Sequence, residues 1–80
     1  MMHNDGPRFR SVELCGSFDD WKTRYPMTFD SYSNDWFLHQ HLKKGKYTYK
    51  YVIDGHRWVV NYKEQREKDP SGNENNVITL

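Results

Sequence analysis

The stretch Tyr47-Thr-Tyr-Lys-Tyr-Val-Ile53 carries the strongest β signal in the chain. Aromatic rings and Ile53 occupy its odd-numbered positions, whereas Thr48, Lys50 and Val52 occupy the even-numbered ones. Successive side chains of a strand point to opposite faces, and aromatic and β-branched residues favour strands. We therefore predict a strand whose tyrosines face the core and whose Lys50 lies on the opposite face.

Short strand patterns continue on both sides of this stretch, separated by turn residues. Asp54-Gly55 predicts a turn that leads into residues 57–62 and closes a β-hairpin. Further short strands are predicted at residues 9–18, 26–29, 36–42 and 76–80. Residues 63–69 have no apolar face, so we predict a solvated loop there. Strands of this length and spacing predict an all-β fold, an immunoglobulin-like antiparallel β-sandwich.

The composition indicates one small domain with a nearly neutral charge. The chain has 80 residues, of which 16% are aromatic, and 12 Lys+Arg balance 11 Asp+Glu. A dedicated DNA-binding protein would need an excess of cations, so the charge argues against nucleic acid as a partner. No apolar run is long enough for a membrane span, and residues 1–10 do not resemble a signal peptide. We expect a flexible tail at residues 1–7, a folded domain at residues 8–80 and a cytoplasmic location.

Candidate catalytic and metal-binding residues are few. Cys15 is the one cysteine, so it cannot form an internal disulfide, and no base lies near it in sequence. Asp19 and Asp20 are adjacent, so in an extended chain their carboxylates point in opposite directions and form no acid–base pair. His39 and His41 would share one strand face, but two ligands do not make a metal site. We predict no catalysis, no metal and no cofactor.

The remaining function classes depend on exposed aromatic rings. The alternation of tyrosine and lysine at residues 47–53 resembles a nucleic-acid stacking surface only superficially. Sugars offer apolar C–H faces to flat rings, and their hydroxyl groups suit amide and ammonium groups. Trp21 and Trp58 both follow turn residues and lie outside any clean apolar alternation, so they are candidate sugar-binding rings. Trp36 aligns with Leu38 and is predicted to lie in the core.

Three motifs, in order along the chain, closely resemble a known family. They are Val12-Glu-Leu-Cys-Gly-Ser-Phe-Asp-Asp-Trp21, then Gly45-Lys-Tyr-Thr-Tyr-Lys-Tyr-Val-Ile-Asp-Gly55 followed by Trp58, and then Gly72-Asn-Glu-Asn-Asn-Val-Ile78. The family is the glycogen-binding domain of the AMP-activated protein kinase β subunit, carbohydrate-binding module family 48. Each motif is weak alone, but their order and spacing make the resemblance specific.

The resemblance implies an early-set, immunoglobulin-like β-sandwich that binds α-1,4-linked glucan without metal or catalysis. The sugar-stacking rings would be Trp21 and Trp58, the hydroxyl-binding lysine would be Lys50, and the hydrogen-bonding amide would be Asn75. The ligands would be glycogen or starch and maltooligosaccharides. Such a module would tether a fused or associated protein, such as a kinase or phosphatase catalytic part, to polysaccharide.

Two departures from the family pattern bear on the sugar site. Ser71 and Asn73 stand where the kinase β domain usually has leucine and threonine, so the apolar finger that plugs a helical glucan is missing. One residue more than usual separates Gly55 from Trp58, which would turn Trp58 to the other face unless a bulge absorbs it. The alternative function is a protein-interaction or kinase-regulatory module with the same fold and a degenerate sugar site.

Overall fold

Eight strands and one short 3₁₀ turn make up the regular structure of residues 8–80, the part of the chain that the computed structural model describes. The strands are β1 (Val12–Gly16), β2 (Tyr25–Pro26), β3 (Thr28–Asp30), β4 (Asp35–Phe37), β5 (Lys46–Ile53), β6 (Arg57–Val59), β7 (Arg66–Lys68) and β8 (Glu74–Thr79). The 3₁₀ turn, Ser17–Asp19, follows β1 directly. Residues 1–7, where we expect a flexible tail, lie outside the described residues. Within residues 8–80, no helical segment has the length and apolar character needed to cross a membrane.

Six strands form one antiparallel sheet around β5, and the other two form a separate hairpin. The strand order is β2-β1-β5-β8-β7, and β6 also pairs with β5. β1 lies along one edge of β5, whereas β8 pairs with the first half of the other edge and β6 with the second half. β3 and β4 form the second sheet. Every pairing is antiparallel, which confirms the predicted all-β, antiparallel sandwich fold.

The two faces of β5 border different surroundings, as the alternation predicts. Thr48 and Lys50 line a pocket on one face of the large sheet, called here the lysine face. Tyr51 lines a cavity of about 790 Å³ on the opposite face, called the tyrosine face, together with Phe29 of β3. In the small sheet the rings of Phe29 and Trp36 pack with their centroids 5.3 Å apart. The small sheet therefore lies on the tyrosine face. The lysine face carries the pocket, and by strand register the buried Cys15, Val52 and Val77 lie on this face as well.

The fully buried core is small, and it contains no aromatic ring of the described residues. Its apolar members are Val12, Cys15, Val52, Ile53 and Val77. The residues that the sequence places in the core but that are only half-buried are Trp36, Tyr47, Tyr49 and Tyr51. A domain of this size has little interior, so large rings keep one edge in solvent.

Asn76 is a fully buried polar residue, and its amide holds the connection between β6 and β7. Its side-chain nitrogen donates hydrogen bonds to the carbonyl oxygens of Asn61 and Gln65, at 2.9 and 3.1 Å. Its side-chain oxygen accepts a hydrogen bond from the backbone N–H of Asn61 at 2.8 Å. Because an unpaired buried amide would destabilise the fold, these three bonds both satisfy Asn76 and fix the connection.

Three predicted elements differ most from the observed ones, and the strands predicted at residues 9–18 and 57–62 are shorter in the structure, at Val12–Gly16 and Arg57–Val59. The strand predicted at residues 36–42 ends at Phe37, because its partner β3 has three residues and offers no backbone groups beyond that pair. The strand predicted at residues 26–29 is divided between β2 and β3, which belong to different sheets. The loop predicted at residues 63–69 contains β7. This strand needs no apolar face because it is an exposed edge strand whose backbone pairs with β8.

Gly16 ends β1 in a tightly packed position. Its backbone is extended, with φ of −163°, so the conformation itself does not require glycine. A Cβ atom at this position would lie 2.4 Å from the ring of Phe18 and 2.8 Å from the backbone oxygen of Thr48. The Gly16 carbonyl also accepts a hydrogen bond from the N–H of Trp21 at 2.9 Å. A displacement of the Gly16 backbone would therefore also displace Trp21, which is hydrogen-bonded to it.

We expect Gly16→Ala to lower the free energy of unfolding by about 1–3 kcal/mol, because overpacking forces Phe18 or the backbone to move. Urea denaturation followed by tryptophan fluorescence measures this change. Ser31→Ala, in the exposed turn between β3 and β4, is the control and should change stability by less than about 0.5 kcal/mol. An unchanged denaturation midpoint for Gly16→Ala would show that the close approach does not exist.

Two tyrosine hydroxyl groups share one carboxylate on the tyrosine face. Tyr51 donates to Oε1 of Glu64 at 2.6 Å, and Tyr49 donates to the same oxygen at 3.1 Å. Burial is the main cause that raises the pKa of Tyr49 to about 12, and the charge of Glu64 adds to it. Burial and the hydrogen bond to Glu64 also raise the pKa of Tyr51.

We expect the domain to lose stability as the pH rises from about 10 to about 12, the ordinary and the folded-state pKa of Tyr49. In this window the unfolded chain has released tyrosine protons that the folded chain still holds, so the free energy of unfolding falls with rising pH. Thermal melts across this range measure the decline, which should be shallower for the double variant Tyr49→Phe/Tyr51→Phe. Tyr32→Phe is the control, since that ring is 98% exposed. Parallel declines in all three proteins would contradict the assignment.

Candidate functional site

The four residues that the sequence motifs point to, Trp21, Lys50, Trp58 and Asn75, lie together in one pocket on the lysine face. The pocket is an open depression with a volume of about 490 Å³. The side chains that line it are Trp21, Thr48, Lys50, Trp58, Asp69, Asn73 and Asn75. The four predicted residues come from four separate segments of the chain, so folding alone brings them together.

The register of the large sheet explains why β5 and β8 contribute to one face. Thr48 and Lys50 lie two residues apart on β5 and therefore point to the same side. Thr48 pairs with Val77 of β8. Asn75, two residues before Val77, therefore also lies on the lysine face, next to the loop that joins β7 to β8.

Trp58 reaches the lysine face because the turn before it absorbs the additional residue. Asp54 and Gly55 have left-handed backbones, with φ of 55° and 79°, and His56 completes a three-residue turn. Regular pairing then places Trp58 opposite Val52 of β5, which lies on the same face as the pocket. The indole of Trp58 is 44% exposed. The departure from the family's spacing is therefore accommodated in the turn, and the ring stays in the pocket.

Trp21 lies in a strained turn that neighbouring groups hold in place. Both Asp20 and Trp21 have left-handed backbones, with φ of 60° and 63°, which is uncommon for a bulky residue. The N–H of Trp21 donates to the carbonyl oxygen of Gly16, and its own carbonyl accepts a hydrogen bond from the thiol of Cys15 at 3.6 Å. Burial raises the pKa of that thiol, which favours the protonated donor. These contacts present an indole that is 38% exposed to the pocket.

The loop between β7 and β8 is closed by the side chain of Asp69. Its Oδ1 accepts hydrogen bonds from the backbone N–H groups of Ser71 and Asn73, each at 2.9 Å. Its backbone N–H donates to the carbonyl oxygen of Asn73 at 2.8 Å. Gly72 provides the left-handed residue of the loop, with φ of 89°. The loop is therefore ordered before any ligand arrives, with Asn73 at the pocket and Ser71 outside its lining.

Three pocket residues, Thr48, Asp69 and Asn73, are absent from the sequence-based site prediction. Strand alternation would identify Thr48, because it precedes Lys50 by two positions. The residues Asp69-Pro-Ser-Gly72 indicate a turn, but no sequence pattern tells which way that turn faces. The fold, and not the sequence, therefore identifies Asp69 and Asn73 as residues of the site.

The pocket combines flat rings with a mixed set of hydrogen-bonding groups. Lys50 can donate three hydrogen bonds, whereas Asn73 and Asn75 can each donate and accept. The positive charge of the Lys50 ammonium and the negative charge of the Asp69 carboxylate cancel, so the pocket does not select for a highly charged ligand. This set of groups suits a neutral ring that has apolar faces and a rim of hydroxyl groups.

Two comparisons with known proteins place the chain in a family. Over 75 residues the chain is 33% identical to an amyloplastic phosphoglucan phosphatase of Castanea sativa, a match that covers 92% of the chain. The chain spans 20% of the length of that relative. The model of the family described as the glycogen recognition site of AMP-activated protein kinase matches residues 6–80. The chain therefore belongs to this family of glycogen recognition domains, which are noncatalytic carbohydrate-binding modules.

Proposed function

We propose that the pocket on the lysine face binds α-1,4-linked glucan, the polymer of glycogen and starch, through Trp21, Lys50, Trp58 and Asn75. The observation that carries this proposal is the position of two partly exposed indoles in one pocket, 38% and 44% exposed, beside an ammonium and an amide. Membership of the glycogen recognition family supports the same ligand.

The chemistry of glucose explains the roles of these side chains. The C–H faces of a glucose ring stack on Trp21 and Trp58, because indoles offer large rigid surfaces that lose little conformational entropy. Lys50 donates hydrogen bonds to sugar hydroxyl groups. Asn75 both donates and accepts, so it can bind two neighbouring hydroxyl groups of one ring.

The shape of the pocket limits its affinity. It is an open depression, and Ser71 leaves it without an apolar finger over the ligand. Few contacts then offset the loss of translational and rotational freedom on binding. We expect dissociation constants on the order of 10 μM to 1 mM for linear maltooligosaccharides, and tighter binding for longer glucans.

We infer that the domain acts as a tether between polysaccharide and a catalytic part of the same or an associated protein. The similarity to a phosphoglucan phosphatase supports a phosphatase as that part. The family description supports a kinase as the other candidate. The catalytic partner and the expected cytoplasmic location remain predictions.

We expect Trp21→Ala to weaken binding of maltoheptaose at least tenfold, since it removes one of two stacking rings; this corresponds to about 1–3 kcal/mol. Isothermal titration calorimetry measures the affinity, and circular dichroism confirms that the variant folds. Phe37→Ala is the matched control, because that ring is 40% exposed but lies on β4 in the small sheet. It should bind as the wild type does.

The same titration separates the proposed function from the alternative. If wild-type protein gives no heat and no binding at millimolar maltoheptaose, a protein-interaction module with a degenerate sugar site becomes the better explanation. If Phe37→Ala weakens binding as strongly as Trp21→Ala, the pocket is not the glucan site.

A further inference from the structure

Arg24 connects the loop that follows Trp21 with the hairpin that carries Trp58. Its Nη1 atom donates a hydrogen bond to the backbone oxygen of Gly55 at 2.9 Å, in the turn between β5 and β6. Its guanidinium carbon lies 5.2 Å from the centroid of the Trp58 ring. A single side chain therefore holds both the turn before Trp58 and the indole itself.

A row of residues across three strands lies beneath this connection. Glu13 of β1 pairs with Val52 of β5, and Val52 pairs with Trp58 of β6, so all three lie on the lysine face. Nη1 of Arg24 lies 3.9 Å from Oε1 of Glu13, at the other end of the row. Arg24 thus spans the row from Glu13 to Trp58, and Val52 in its middle is completely buried.

We propose that Arg24 is a positioning residue for glucan binding, which holds the indole of Trp58 in the orientation that sugar stacking requires. This inference rests on the proposed function of the pocket. Arg24 does not line the pocket, so it acts through Trp58 and not by contact with the sugar. By lying over one face of the ring, the guanidinium orders the indole and leaves the opposite face for glucose.

Arginine suits this position better than lysine does. A planar guanidinium can lie over an aromatic ring while one of its N–H groups donates sideways to a carbonyl oxygen. A lysine ammonium is a point charge on a flexible stem, so it cannot make both contacts with the same geometry. Lys22, in the same loop, provides a comparison because it is exposed and lies outside the pocket lining.

A double-mutant cycle between Arg24 and Trp58 tests this role. Calorimetry with maltoheptaose is carried out on wild type, Arg24→Ala, Trp58→Ala and the double variant, with Arg24→Lys and Lys22→Ala in addition. Arg24→Ala should weaken binding about two- to fivefold, the range expected for loss of an exposed cation–π contact. Arg24→Lys should recover part of that loss, and Lys22→Ala should bind as the wild type does. In the Trp58→Ala background, removal of Arg24 should cause no further loss.

A spectroscopic readout reports on the indole without any sugar. In ¹H–¹⁵N spectra the indole N–H resonance of Trp58, assigned by its disappearance in Trp58→Phe, should shift and broaden in Arg24→Ala but not in Lys22→Ala. Thermal melts identify any variant that is simply unfolded. If Arg24→Ala is unfolded, Arg24→Lys is the folded variant that replaces it in the comparison.

The outcomes separate this inference from the proposed function. If wild type does not bind maltoheptaose, the proposed function fails and this inference fails with it, whatever the indole resonance shows. If wild type binds but Arg24→Ala weakens binding equally with and without Trp58, or leaves both affinity and the indole resonance unchanged, the positioning role is overturned while the proposed function stands.

Discussion

Pairing of β5 along both of its edges is the constraint on which the rest of the domain depends. One edge pairs with β1, and the other is shared between β8 and β6, so three of the five other strands of the large sheet are aligned by a single one. Because side chains alternate along β5, this alignment also fixes which residues of its neighbours share a face. A slip of one residue would move Lys50 to the tyrosine face and dismantle the pocket.

Hydrogen bonds between side chains and backbone fix the loops that connect the strands of the sheet. The domain has few fully buried apolar residues, and specific hydrogen bonds hold several of its loops. Asn76 fixes the connection after β6, Asp69 closes the loop before β8, and the backbone of Gly16 and the thiol of Cys15 hold the turn of Trp21. A binding surface that is ordered in advance loses less entropy when a flexible glucan binds. This order partly offsets the small number of contacts that an open pocket offers.

Much of the fold and of the candidate site can be predicted from the sequence. The elements and residues that the sequence does not predict are missed for identifiable physical reasons. Alternation within residues 47–53 predicts β5 and the side on which Lys50 lies, and Asp54-Gly55 predicts the hairpin. β7 is missed because an exposed edge strand is defined by its backbone pairing with β8, which leaves no trace in side-chain patterning. Arg24 is missed because its partner Gly55 lies 31 residues away, and no local pattern reports such a contact. Their position after turn residues makes Trp21 and Trp58 candidates, the family motifs add Asn75, and no periodicity predicts that the three converge.

The most direct measurement of the central claim is a titration of ¹⁵N-labelled domain with maltoheptaose, followed by ¹H–¹⁵N spectra. If glucan binds on the lysine face, the largest shifts will be those of the indole N–H groups of Trp21 and Trp58 and the backbone amides near Lys50 and Asn75. The indole of Trp36, in the small sheet on the tyrosine face, will remain unchanged. Shifts centred on Trp36, with the indoles of Trp21 and Trp58 unaffected, would contradict the assignment of the pocket.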